Sequence, residues 1–316
     1  MANPSGETDT PKDAAQATAI PAISVTPPRA PTPHEGKPVK KVGFIVNDTI
    51  EAATEQSHRL GRILTNKGVQ VYETHSARPD KSVKWKHDNN LDIIFTFGGD
   101  GTILRAAQAA APLGVPILGV NLGRVGFLTE INPWQFEEKL PMFLEGGYWL
   151  ERRAMLRAEL WRGETLVGSY LALNDVVASR ASLSRVVNCH LTVNGARVTT
   201  IVADGVIVAT PTGSTAYSMA AGGPILHPEL RSVVITPVAP YLTVIKSMVL
   251  PDDNTIELGI DTDDESFLTV DGQSFVALQD GDRILIKVAP DPCLFARMQD
   301  RDYFSSTLVG RLRRTE

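Results

Sequence analysis

The sequence predicts an α/β domain with a Rossmann-like parallel sheet, followed by an all-β domain built as a layered β-sandwich and preceded by a disordered tail. Three observations carry this expectation. Short apolar runs alternate with helix-patterned stretches from Lys41 to about Leu150, as consecutive βαβ units require. From Arg153 onward the helical period fades and hairpin dipeptides appear, at Asn194-Gly195, Asp271-Gly272 and Asp280-Gly281. Residues 1–40 hold eight of the chain's 21 prolines among Ala, Thr, Ser and Gly, a composition that buries too little apolar surface to offset chain entropy.

The elements follow in order. Residues 42–46 are a first strand, residues 50–67 a helix stopped by Gly68, and residues 69–72 a second strand. A buried strand over 91–97 runs into Gly98-Gly99-Asp100-Gly101-Thr102, then a helix over 102–111 and a third apolar segment over 115–120. A helix over 133–145 precedes the domain boundary near Leu150. Beyond it, residues 153–161, 166–173, 187–193 and 197–201 favour strands. The expected organisation is therefore a tail over 1–40, an α/β domain over 41–150 and a β-rich domain over 151–290. The C-terminal segment over 291–316, ending in Arg311, Arg313 and Arg314, fits a solvated tail or a strap back onto the first domain equally well.

Bulk properties narrow the function. At 316 residues and 43% hydrophobic composition the chain can fill two ordinary cores. A net charge of −5 gives no basic footprint of the kind nucleic acid or an anionic membrane selects, so neither is an expected partner. Cys189 and Cys293 match neither a disulfide framework nor a metal-ligand spacing, and a reducing cytoplasm is the expected location. His58, His75, His87, His190 and His227 are scattered singly, so no metal site held by the protein alone is expected.

The glycine-rich turn is the chemical signal. Gly98, Gly99 and Gly101 let backbone N–H groups approach an anion, and the helix that follows aims its positive dipole end at the same point. Asp100 is then the anomaly, because a carboxylate repels phosphate unless it binds a metal or accepts a proton. A kinase needs such a residue. A second unusual stretch, Asp204-Gly205-Val206-Ile207-Val208-Ala209-Thr210-Pro211-Thr212-Gly213-Ser214-Thr215-Ala216-Tyr217-Ser218, reads as strand, polar loop and helix. Ser214 and Thr215 can cap that helix or offer donors to phosphates and sugar hydroxyls, and Tyr217 adds a flat face for a base.

Together the two stretches resemble the NAD kinase family, whose members carry a GGDGT turn, an Asn-Glu or Asn-Asp pair, here Asn174-Asp175, and a TPTGSTAY loop in this order. Further matches are residues 121–129, Ala221-Gly222-Gly223-Pro224-Ile225 and Asp271-Gly272-Gln273, so the resemblance spans residues 42–288. It implies transfer of the terminal phosphoryl of ATP, or of polyphosphate, to the 2′-hydroxyl of the adenosine ribose of NAD, with Mg²⁺ as the divalent cation. Asp100 is implied as the proton acceptor, with Gly101 and Arg105 extending its loop. The β-rich domain is implied to bind the dinucleotide, through Asn174, Asp175, Arg185, Asp204, Thr215, Ala216, Tyr217, Ser218, Ala239 and Gln273. Assembly as a homodimer or homotetramer, with the β domain sometimes completing a neighbouring site, is implied as well. Two positions depart from the family pattern: Val202 stands where many bacterial members have arginine, and Ala220 where relatives often have serine. GGDGT alone also occurs in diacylglycerol-type lipid kinases, and a non-catalytic NAD(P) sensor would use the same cleft; these two remain the alternatives.

Overall fold

The computed structural model describes residues 36–75, 90–122, 126–181, 186–241 and 245–313; most of the expected tail, and Arg185, lie outside these residues. The first sheet contains β1 (Lys41–Val46), β2 (Gln70–His75), β3 (Ile93–Gly98), β4 (Ile117–Asn121), β5 (Trp149–Arg153) and β18 (Cys293–Arg297), in the order β2-β1-β3-β4-β18-β5. The strands from β2 to β18 are parallel, and β5 closes the edge antiparallel to β18. α1 (Glu51–Asn66) ends at Lys67 with Gly68 at φ 81°, the left-handed stop that the sequence marks. α2 (Asp100–Ala110) follows β3, and α3 (Pro133–Leu144) begins with a capping box between Asn132 and Gln135.

Both faces of this sheet are covered at its centre, which is why β1, β3 and β4 are buried almost throughout rather than alternating, while the edge strands β2 and β5 carry polar and charged residues. One face packs Phe44, Phe95 and Phe97 against Phe136 and Phe143 of α3, with ring centroids 4.8 to 6.0 Å apart. The other packs Ile45, Ile94 and Ile117 against Ile103, Ala106, Ala107 and Ala110 of α2. Each of these phenylalanines and isoleucines contributes about 1.5–3 kcal/mol on burial.

The β domain is two antiparallel six-stranded sheets. One holds β6 (Leu156–Arg162), β7 (Thr165–Ala172), β9 (Val187–Val193), β10 (Ala196–Ala203), β14 (Ile256–Asp261) and β17 (Arg283–Val288). The other holds β8 (Asp175–Arg180), β11 (Gly205–Ala209), β12 (Ser232–Val238), β13 (Met248–Pro251), β15 (Ser266–Val270) and β16 (Ser274–Leu278). Alternate residues of both sheets, among them Leu156, Ala158, Leu160, Val176, Leu191, Val206 and Leu268, form one continuous core.

The hairpin turns at Asn194-Gly195 and Asp271-Gly272 place both residues at positive φ, at 50° and 79° and at 51° and 62°, the twist that two-residue hairpins favour. Three expectations need correction. Asp280-Gly281 closes no hairpin: β16 and β17 on either side of it lie in different sheets, and the Gly281 N–H donates to the Ile260 carbonyl of β14 instead. The strand read over 153–161 is broken at Ala154–Met155: β5 belongs to the first sheet and β6 to the second, because the adjacent residues Met155 and Leu156 bury in different cores. The helix expected after the second loop shrinks to a single 3-10 turn over residues 213–215 and the four-residue α4 (Tyr217–Ala220). After the β domain the chain returns through β18 into the first sheet and ends in α5 (Tyr303–Arg313). No helix among the described residues is long and apolar enough to cross a membrane.

Candidate active site

Gly98 ends β3 and pairs in register with Asn121 at the end of β4, so the first loop sits at the carboxyl edge of the parallel strands, where open α/β sheets bind ligands. α2 starts at Asp100, two residues before the start expected at Thr102. A carboxylate in the first turn suits the helix dipole, and Gly99 takes the extended N-cap position. Asp100 is half-buried. Its Oδ2 accepts the Phe127 N–H at 2.9 Å and its Oδ1 the Leu128 N–H at 3.2 Å. A Cβ at Gly126 would run into the Asp100 carboxylate, so glycine there is required by close approach. Gly99 and Gly101 are different. A Cβ at either would meet nothing within 4 Å, so packing of the protein does not demand glycine, whereas a ligand approaching their N–H groups would.

The second half of the site hangs on a corner. Asn174 links β7 to β8, its N–H donates to Asp271 Oδ1 at 2.7 Å, and its carbonyl accepts the Thr210 N–H at 2.9 Å. Asp271 also accepts the N–H groups of Leu173 and Asp175, at 2.9 and 3.2 Å, so one turn carboxylate organises the whole corner. Gly213 packs against the Asn174 carbonyl, where a Cβ would collide. Ser214 Oγ donates to the Pro211 carbonyl at 2.6 Å and accepts the Leu226 N–H at 2.9 Å, which pins the loop in place. Gln273, in the same turn as Asp271, donates from Nε2 to the Gly101 carbonyl at 2.9 Å. That bond joins the glycine-rich turn to the β domain.

Two electrostatic features distinguish the site. The first is a carboxyl pair, Asp175 and Asp271, which are 6% and 7% exposed. Burial, with the neighbouring Asp271 charge, raises Asp175 to about 7. Burial raises Asp271 to about 6 against the opposing bonds from Leu173, Asn174, Asp175 and Gln108. The pair therefore holds a proton into the neutral range. The second is a buried chain of charges: Glu130 to Arg297 at 2.9 Å, Arg297 to Glu151 at 2.7 Å, Glu151 to Arg153 at 2.8 Å, and Arg153 to Thr212 Oγ1 at 3.2 Å. Burial raises Glu151, but Arg297 and Arg153 outweigh it and hold the carboxyl down at about 2. Arg297 also donates to the Leu128 carbonyl at 3.1 Å, so the chain ties the segment that holds Asp100 to the TPTGSTAY loop.

The structure thus brings together Asp100, Gly101, Asn174, Asp175 and Gln273. Arg105 lies one turn further along α2, half-buried. Thr215 and Ala216 are half-buried in the second loop, and Tyr217 is 46% exposed beside them. Ser218 is turned inward, fully buried, with its hydroxyl 2.9 Å from Thr236 Oγ1. Asp204 and Ala239 stand apart. They lie at the opposite end of β11 and β12 from the loop, about 17 Å of extended chain away. There Arg180 forms a two-point pair with Asp204, at 2.7 and 2.8 Å, placing a cation beside Asp204 where Val202 supplies none. In the sequence Gly126 stands only within a longer matched stretch and Asp271 only in a hairpin dipeptide and a matched tripeptide, and nothing there marks Arg153, Arg297 or Arg311 as neighbours of the site. Asp271 was legible as a hairpin residue, and no spacing signal marks the arginines.

A cavity of about 400 Å³ opens at the carboxyl end of β4, lined by Asn121, Asn132, Gln135, Lys139 and Gln299 among others. Comparison with known proteins finds a family model for each of two stretches of the chain. Residues 42–148 match the family model described as the ATP-NAD kinase N-terminal domain, and residues 173–298 match the ATP-NAD kinase C-terminal domain. An NAD kinase of Chloroflexus aurantiacus is 38% identical over 277 residues, covering 88% of this chain and all of the relative. An NAD kinase of Carboxydothermus hydrogenoformans is 41% identical over 215 residues, covering 68% of this chain and 77% of the relative. Among solved structures, an NAD kinase from Archaeoglobus fulgidus in complex with ATP superposes with a TM-score of 0.68 at 30% identity, covering 87% of this chain and 99% of that one. Yeast NADH kinase complexed with NADH shares the fold, with a TM-score of 0.74 at 23% identity over 90% of this chain and 92% of that one. With open space at the glycines flanking Asp100, an Asn-Asp corner joined to that turn through Gln273, and both domain models matched, the chain belongs to the NAD kinase family.

Proposed function

We propose that the chain transfers the terminal phosphoryl group of ATP to the 2′-hydroxyl of the adenosine ribose of NAD, giving NADP, with Asp100 as the proton acceptor. The observation that carries this is the placement of Asp100: a half-buried carboxylate, fixed by two backbone N–H groups, beside open space at Gly99 and Gly101. A ribose hydroxyl is a weak nucleophile at neutral pH. As its oxygen bonds to phosphorus and the bond to the leaving ADP breaks, Asp100 takes the hydroxyl proton, an effect of about 10²- to 10⁴-fold. Backbone N–H groups of the glycine turn and the α2 N-terminus bear the phosphate charge.

Asn174, Asp175, Thr215, Ala216, Tyr217 and Gln273 hold the dinucleotide in this reading. Asp175, raised to about 7, can donate its proton to a ribose or base acceptor at neutral pH. Asp204 and Ala239 at the far end of the sheet, with Arg180 in support, serve the site of a neighbouring copy in a homodimer or homotetramer. No three metal-binding side chains converge among the described residues, and the single carboxylate at the loop suits Mg²⁺ carried by the donor's phosphates. When bound, that cation neutralises phosphate charge. The reaction belongs in the cytoplasm, a reading supported by two cysteines that are free and buried.

The test incubates the protein with NAD or NADH against ATP or polyphosphate in Mg²⁺ and identifies phosphorylated products by mass spectrometry. NADP from NAD and ATP is expected. Dinucleotide binding without any phosphorylated product, or phosphorylation of diacylglycerol vesicles in its place, contradicts the proposal.

A further inference from the structure

Arg311, on the last turn of α5, is 6% exposed, and no carboxylate among the described residues lies within ion-pair distance of it. A buried guanidinium without a counter-charge is costly and calls for another source of stabilisation. Its rings are Tyr303, 4.6 Å from the guanidinium carbon, and Phe127, at 5.8 Å. Its Nη1 donates to the Phe127 carbonyl at 2.8 Å. That carbonyl belongs to the same peptide unit as the Leu128 N–H, which donates to Asp100 Oδ1 at 3.2 Å.

We infer that Arg311 is a positioning residue for phosphoryl transfer: from the C-terminal helix it fixes and polarises the 127–128 peptide, and through it the Asp100 carboxylate. A short charge-assisted bond at the carbonyl strengthens the N–H of the same peptide as a donor. The carboxylate is thereby held in one rotamer, with its remaining lone pairs left for the substrate. Arg297 supports the next peptide by donating to the Leu128 carbonyl, but its charge is already matched by Glu130 and Glu151. Of these two arginines, Arg311 is the one with no carboxylate among the described residues within ion-pair distance. The inference rests on Asp100 acting as the base.

The experiment compares kcat and KM of the full-length wild type, Arg311→Ala, Arg311→Lys, Asp100→Asn and the double variant Asp100→Asn/Arg311→Ala. Phe304→Ala, which removes the ring edge of α5 against His227, serves as the control for weakened helix docking. Arg311→Ala is expected to lose about 10- to 100-fold in kcat, with KM for NAD and ATP within about threefold, and Lys to restore part of it. Phe304→Ala is expected to keep kcat near wild type. In the double variant, Arg311→Ala is expected to cost little beyond Asp100→Asn, since both act through one carboxylate. Full additivity, an equal kcat loss in Phe304→Ala, or wild-type kcat in Arg311→Ala overturns the inference. Should Arg311→Ala fail to fold, Arg311→Lys carries the same comparison, because it keeps the charge and loses the planar fork. Wild-type turnover in Asp100→Asn instead removes the base, a result that the single variants separate from failure of Arg311.

Discussion

Gly126→Ala probes the geometry of the site without touching its chemistry. The new Cβ would lie 2.5 Å from Asp100 Cγ, where ordinary contacts begin near 3.4 Å, so the carboxyl or the 126–128 segment must retreat by about 1 Å. The bonds from the Phe127 and Leu128 N–H groups, at 2.9 and 3.2 Å, then pass beyond hydrogen-bonding distance. A displacement of about 1 Å costs on the order of 10²-fold in rate, or about 2.7 kcal/mol of barrier. Steady-state kinetics should therefore show kcat down about 10²-fold, and thermal melting should show a Tm lowered by several degrees from the two lost bonds. Gly99→Ala is the contrast: its Cβ meets nothing, so Tm should stay within about 1–2 °C while donor binding weakens. Wild-type kcat in Gly126→Ala would show that the Asp100 carboxylate does not need the position given to it here.

Two further outcomes concern stability. Asp175 has a folded-state pKa of about 7 against an ordinary 3.8, so the folded chain keeps a proton that the unfolded chain has released, and this cost grows as pH rises through that window. In urea unfolding, Asp175→Asn should gain on wild type from about pH 4 to about pH 7 and hold that gain above it; a pH-independent difference would refute the raised pKa. Arg297→Met leaves Glu130 without its cation and Glu151 with one in place of two, and should cost about 3–5 kcal/mol. An unchanged urea midpoint would contradict a structural role for the buried chain.

The architecture was legible where local chemistry is strong. Gly68 stops α1, Asn194-Gly195 and Asp271-Gly272 make hairpins, and continuous apolar runs become the covered strands β1, β3 and β4 of the first sheet, whereas Asp280-Gly281 turns the chain between two sheets. Strand membership was not. Nothing in the pattern of residues 149–162 says that the chain changes sheets at Ala154–Met155, or that Cys293–Arg297 returns to sit between β4 and β5, because pairing partners far apart in sequence are chosen by global packing. At the site, Asp100 was visible through its glycines. The organising role of Asp271 was hidden, because a hairpin aspartate and a carboxylate that gathers three backbone N–H groups look alike in sequence. Arg153, Arg297 and Arg311 were hidden because surface arginines are common, and burial of the last two depends on contacts from elements more than a hundred residues away.

The most direct measurement is the turnover of Asp100→Asn beside its affinity for NAD. With Asp100 as the proton acceptor, kcat falls by about 10²- to 10⁴-fold while the NAD dissociation constant, from calorimetry, changes by no more than a few fold. Turnover within about tenfold of wild type, with binding intact, would contradict it.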